Sequence, residues 1–358
     1  MSAQAYAQVK TSERAISPAS LDAVLAVLGY GASGPAQQQL FQLYGFTDRS
    51  QFLQLLQRIT QVMSDQDIKG GNAIFFEKRY STINPEFYRA VANYMYLSQS
   101  DFTNANQARQ EVNGWIERNS GLPDVIPLLV FQNPDLKMIV ANALWFKDEW
   151  ERKFLKHSTR PDNFTNRNGQ VVQVPTMSQT CTMSWLESGP VTAVKLMFKN
   201  GAYAEFFLGL PENQVIPDHG VIYQQGKVEL YLPKFEAKQE INLLPVFQAI
   251  GLSGLFNDGF GNIRPERDLG VSAAAQKLVA RFDEDGAEVK VATYAGIALA
   301  CIAMPPPEQP KIIRFDRPFH YRIVKNGISL IDGWYNGEEI FRDQPQQQGL
   351  PGINLPNF

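Results

Sequence analysis

The sequence predicts an α+β fold, on three observations. Apolar residues recur at helical spacing through the first third of the chain. Strand-like runs dominate from about residue 136, and the two kinds of segment do not alternate as βα units. That order points to large antiparallel or mixed sheets with the helices gathered early.

Each element has a local reason. Ser17, Pro18, Ala19 and Ser20 open a helix, because proline suits a first turn; Leu21, Val24, Leu25 and Leu28 follow at helical spacing. Residues 29–34 are glycine-rich and predict its end, and Pro35 starts a second helix through Leu40 and Leu43. Residues 50–63 place Phe52, Leu55, Leu56 and Ile59 on one stripe. Residues 72–76 predict a short strand. Residues 85–97 and 107–118 predict helices, the latter carrying Val112, Trp115 and Ile116. Residues 138–146 are almost continuously apolar, as suits a central strand covered on both faces. Further strands are expected at 171–177, 191–198, 202–210, 228–232 and 315–324, and one late helix at 245–252. The Gln- and Pro-rich end, 343–358, predicts an irregular tail after a single domain spanning 1–342.

Bulk properties narrow the function. Of 358 residues, 44% are apolar and 19% charged, as in an ordinary globular protein. A net charge of −3 offers no electrostatic case for nucleic acid or a membrane surface, and no apolar run approaches the ~20 residues of a spanning helix. Cys181 and Cys301 are too few for a disulfide framework or a four-cysteine zinc site, and His157, His219 and His320 lack metal-ligand spacing. No metal and no cofactor is therefore expected. The first residues lack a basic segment followed by an apolar one; the expectation is a cytoplasmic protein, or an extracellular one if a leader has been removed.

Signals of catalysis dissolve on inspection. Gly29, Gly31 and Gly34 fit G-x-G-x-x-G, but the entry is helical in period rather than a strand, so a dinucleotide site is not expected. Cys301 has no local histidine partner for nucleophilic chemistry. Asp148, Glu149 and Glu151 flank Trp150 at a strand end and read as a solvated turn, while Glu229 reads as an outward strand residue. No catalytic residue is assigned, and the chain is not expected to be an enzyme.

Residues 282–305 stand apart. They begin acidic, continue with small β-tolerant residues and end at Pro305, Pro306 and Pro307, which cannot join a sheet interior. In an extended chain Ala287, Val289, Val291 and Thr293 share one uncharged face, opposite Glu288 and Lys290. Such a segment could enter an existing sheet without burying a charge on its inner side.

Several separated motifs, in order, resemble the serpin family. Ser17–Leu21 with the turn 31–35 resembles the early S-P-x-S helix and its glycine turn. Residues 112–116 resemble I-N-x-W-V, and residues 142–150 followed by Phe154 resemble N-A-I-Y-F-K-G-x-W…F. Residues 231–235 resemble L-P-K-F, residues 250–256 the L-G helix end, and residues 315–319 F-x-R-P-F. The resemblance implies three β-sheets, eight or nine helices and an exposed reactive-centre loop at about 284–314. It implies a suicide mechanism in which a monomeric inhibitor forms a covalent acyl complex with a target protease and the cut loop enters the central sheet; the handling of strain by loop insertion is a known example of such a switch.

Residue by residue, the resemblance places the hinge at Glu284, Gly286 and Ala287, with Val289, Val291 and Thr293 as inserting positions. Glycine suits the pivot because it tolerates backbone angles closed to other residues. The bond implied is Ala300–Cys301, with Leu299 and Ile302 as neighbouring alternatives; the loop exceeds the family length by about seven residues. No Arg, Lys or Asp lies between Val291 and Pro310, so the expected target is elastase-like, or chymotrypsin- or cathepsin-like if Leu299 is used. Ser17, Ser20, Asn142 and Gln276 fall where the family latches its central sheet, Gln276 replacing a histidine. Val289 and Val291 are bulkier than inhibitory members usually carry, and the segment after Pro211 is short. Both leave open a non-inhibitory binding, storage or chaperone-like protein.

Overall fold

The computed structural model describes residues 15–79, 82–211, 214, 216, 222–256, 259–266, 269–271, 274–288 and 309–337. The chain builds α1 (Pro18–Gly31), α2 (Gly34–Tyr44) and α3 (Ser50–Met63) before any long strand, as its periodicity predicts. Ser17 caps α1, its side chain accepting from Ser20 N. Eleven of the fourteen residues of α1 are buried, so it is a core helix rather than an amphipathic surface one.

The expected stop at Gly29 is corrected: α1 continues to Gly31. A Cβ at Gly29 would meet the Phe52 ring of α3, and one at Gly31 would meet Ile263. These glycines allow close packing inside a helix, and the G-x-G-x-x-G spacing follows from that packing.

Six strands form the first sheet, in the order β10 (Phe235–Asn242), β11 (Ala275–Phe282), β12 (Gly286–Glu288), β4 (Met138–Glu149), β2 (Ile68–Glu77) and β3 (Tyr96–Ser100). β4 is covered on both faces, as its apolar run demands. Met138 and Phe146 belong to the main core with α1, whereas Ile139, Ala141 and Ala143 pack under Val112, Trp115 and Ile116 of α5 (Ala105–Ser120). The helix expected over 85–97 is shorter: α4 (Pro85–Val91) gives way to β3, which pairs parallel with β2. Tyr96 stacks against Trp115, so tertiary packing overrides the local period there.

A second sheet runs β1 (Ala15–Ile16), β15 (Ile328–Tyr335), β14 (Phe319–Lys325), β8 (Tyr203–Leu208), β7 (Val191–Met197), β6 (Val171–Ser188), β9 (Gln224–Pro233) and β13 (Lys311–Arg314), with β5 (Arg160–Thr165) on β6. Three sheets were expected; hydrogen bonding joins two of them. The cause is β6, eighteen residues long, which pairs β5 at its start, β9 along its middle and β7 at its end. The described residues hold seven α-helices, completed by α6 (Leu128–Phe131) and α7 (Leu243–Ala249), against the eight or nine expected. The main core lies between the two sheets and α1.

Candidate functional site

The end of β4 and the start of β12 meet at a tight acidic turn, residues 283–286. Asp283 Oδ1 accepts from Asp285 N (2.9 Å) and Gly286 N (3.2 Å), an Asx-type closure. Trp150 holds the turn twice, Nε1 donating to Asp283 O (2.8 Å) and its main-chain N to Asp285 O (2.9 Å). Phe154 N donates to Glu284 O at 3.0 Å. Trp150 is itself fixed by stacking on Phe198, with ring centroids 4.3 Å apart.

The acidic side chains have different surroundings. Glu284 is buried; it accepts from Thr159 Oγ1 (2.7 Å) and pairs with Lys234 (3.1 Å). Asp285 pairs with Lys153 (3.1 Å) and Lys156 (2.8 Å). Partial burial works against its charge, but Lys156 and Lys153 hold its carboxyl below the ordinary value. Burial pushes the Asp283 carboxyl up, against the pull of the two amides it accepts from.

β12 lies between two strands. It pairs antiparallel with β11 (Arg281↔Glu288, Phe282↔Ala287) and with β4 (Gly286↔Glu149, Ala287↔Asp148, Glu288↔Lys147). Ala287 is buried in the main core, so its side chain takes the inner face. A Cβ at Gly286 would overlap the carbonyl oxygen of Asp148, which gives that position its glycine. Among the described residues β12 is the only strand joining β11 to β4.

Of the four residues expected to act together, Gln276 sits further along β11 and Asn142 further along β4, while Ser17 and Ser20 belong to the head of α1. Ser17 N donates to Gln276 Oε1 (2.8 Å), Gln276 Nε2 donates to Ser17 O (3.1 Å), and Ser17 Oγ donates to Ser20 Oγ (2.9 Å). Gln276 thus joins β11 to the head of α1 through main-chain groups. Asn142 is not part of that contact: its Nδ2 donates to Asn72 Oδ1 (2.7 Å) on β2. Its Oδ1 is buried with no hydrogen-bond partner among the described residues. A cavity of about 50 Å³ separates the two groups, lined by Ser20, Asn142, Leu144, Gln276 and Leu278.

Other expected positions fall elsewhere. Val289, Val291, Thr293, Leu299, Ala300, Cys301 and Ile302 lie outside the described residues. The solvated turn expected at 148–151 is corrected: Asp148 is buried, accepting from Asn200 N and Nδ2 at 3.0 Å each, and Glu149 is paired with Lys153 and Lys199. Glu229 accepts from Tyr231 OH within β9. Sequence reading missed Trp150, Lys153, Lys156, Thr159 and Lys234 as partners of the turn. A signal existed in the density of cationic residues over 147–160, but nothing local says that they meet an acidic turn some 130 residues later.

The family model described as "Serpin (serine protease inhibitor)" matches residues 1–331. The chain belongs to the serpin family. Serine protease inhibitor A3N of Rattus norvegicus is 27% identical over 336 residues, covering 85% of this serpin and 77% of that protein. Thyroxine-binding globulin of Sus scrofa is 25% identical over 342 residues, covering 88% and 81%. Among solved structures, cleaved Serpin 42Da superposes with a TM-score of 0.78 at 23% identity, over 93% of this chain and 96% of that one. Serpin48 of the insect Tenebrio molitor gives 0.78 at 22%, over 92% and 94%. The serpin fold is thereby shown, and membership supports protease inhibition at the level of the family.

Proposed function

We propose that this serpin is a suicide inhibitor of a serine or cysteine protease that prefers small or apolar residues. The seating of β12 between β11 and β4 is the observation that carries the reading. The protease nucleophile attacks the carbonyl of Ala300, the amine of Cys301 leaves, and the enzyme stays acylated; Leu299 and Ile302 mark the neighbouring bonds. The freed strand then continues β12 into the sheet.

The register of β12 indicates what that strand would meet. Ala287 lies opposite Phe282 and Asp148. Steps of two in the same register set Val289 between Ala280 and Phe146, Val291 between Leu278 and Leu144, and Thr293 between Gln276 and Asn142. A threonine hydroxyl at that level meets Asn142 Oδ1, which lacks a partner among the described residues. Ser17, Ser20 and Gln276 act as the latch that this strand must pass, with Asn142 across the cavity from them.

A second reading is favoured by the two valines. Val289 faces a phenylalanine and Val291 two leucines, and extra volume in a filled interior slows or prevents entry. A serpin with a loop that enters slowly is cut without trapping and would serve in binding or storage; the relatives include two named for ligand binding, thyroxine-binding globulin and corticosteroid-binding globulin.

Incubation with elastase, chymotrypsin and a cathepsin, followed by denaturing electrophoresis and mass spectrometry, separates the two. Inhibition gives an SDS-resistant species at the summed mass, with the acyl bond at residues 299–302. A nicked chain without such a species overturns it.

A further inference from the structure

The acidic turn carries a second set of ion pairs, distinct from the buried Glu284–Lys234 pair. Lys156 binds Asp285 Oδ2 at 2.8 Å, and Lys153 bridges Asp285 Oδ1 (3.1 Å) to Glu149 Oε1 (2.8 Å). Lys199, on the turn between β7 and β8, closes the row on Glu149 Oε2 at 2.5 Å. The row crosses from the turn onto β4 and ends on the second sheet. Glu149 is the β4 residue directly opposite Gly286, so Lys153 ties the last side chain before β12 to the strand position that faces the first residue of β12.

We propose that Lys153, with Lys156 and Asp285, is a positioning clasp that reinforces the seating of β12 beside β4, from which the loop enters the sheet, and makes trapping sensitive to salt. The inference rests on the inhibitory reading above. Several features give it content. Trp150 N, which donates to Asp285 O, continues the register that pairs Gly286 with Glu149, so the main chain already sets the alignment of the turn along β4. Lys153 adds a side-chain tie to that alignment, joining Asp285 to Glu149. Side-chain exposure runs from 32% at Lys153 to 72% at Lys156, so the row is reached by counterions, whereas Glu284 and Lys234, at 6% and 12%, are not. A pre-seated β12 shortens the time between acylation and insertion, and that time decides whether the acyl-enzyme is trapped or hydrolysed.

The test uses the full chain and a protease that forms a complex with it. Lys153→Ala/Lys156→Ala and Asp285→Asn should each raise the number of loops cleaved per complex formed by about two- to fivefold, the range expected of exposed pairs. The rate of loop cleavage should not change. Raising NaCl from about 0.05 to 0.5 M, which shortens the screening length severalfold, should produce a similar rise in the unmodified protein and none in the variants. A purely structural role would lower the thermal midpoint without a salt-dependent change in partition.

If no protease is trapped by the unmodified protein, the inhibitory reading has failed, and the clasp is read separately by hydrogen exchange. The amides of Gly286 to Glu288 should exchange about two- to fivefold faster in Lys153→Ala and at high salt. Unchanged partition, or in the untrapped case unchanged exchange, overturns the clasp.

Discussion

Gln276 and Ser17 show how one side chain fastens two elements far apart in sequence. The carboxamide donates and accepts at once, so it satisfies Ser17 N and adds a donor to Ser17 O, which also accepts from Leu21 N of α1. Gln276→Ala leaves Ser17 N buried without its partner while Ser17 O keeps Leu21. One orphaned buried amide costs about 1–3 kcal/mol. The expected outcome is a fall in thermal midpoint of about 1–4 °C, read by scanning calorimetry. An unchanged midpoint would mean that the cavity beside Gln276 hydrates Ser17 N at little cost.

At the scale of elements, much could be read in advance. α1 to α3, α5 and β4 follow directly from period and from a continuous apolar run. The misses have physical causes. α4 was extended through residues whose period is helical, because parallel pairing with β2 is a non-local choice that Tyr96 and Trp115 settle. The union of two sheets depends on one strand, β6, whose partners lie in three other parts of the chain. At the candidate site, the alternation of the segment after Gly286 anticipated that Ala287 faces inward, and the small latch residues could be named from the family resemblance. The lysines that meet the acidic turn could not, since an ion pair leaves no periodic trace.

That alternation also yields a prediction for the inserting strand. Val289→Ala with Val291→Ala removes four methyl groups from the face expected to pass Phe146 and Leu144. Faster entry should lower the number of loops cleaved per complex by about threefold or more, overpacking being worth on the order of 1 kcal/mol or more. Gel densitometry of complex against cleaved chain at a fixed protease ratio checks this. An unchanged ratio would place the slow step elsewhere.

In the proposed mechanism, the strand that completes the sheet follows in sequence directly after β12, which is already paired on both sides. Completion of the six-stranded sheet adds several main-chain hydrogen bonds of about 0.5–1.5 kcal/mol each. Cleavage by a protease that does not remain attached should therefore raise the thermal midpoint by about 4–11 °C; a cleaved protein that melts with the intact one would show that the loop stays outside. The Gln276 fastening has one more consequence. Ser17, Ser20, Asn142 and Gln276 contain only hydroxyls and carboxamides, none of which gains or loses a proton across roughly pH 3–9. A histidine in that place would loosen or tighten as surroundings acidify. In the proposed reading, the fastening of β11 to α1 through Gln276 would therefore hold alike in a neutral fluid and in an acidic vesicle.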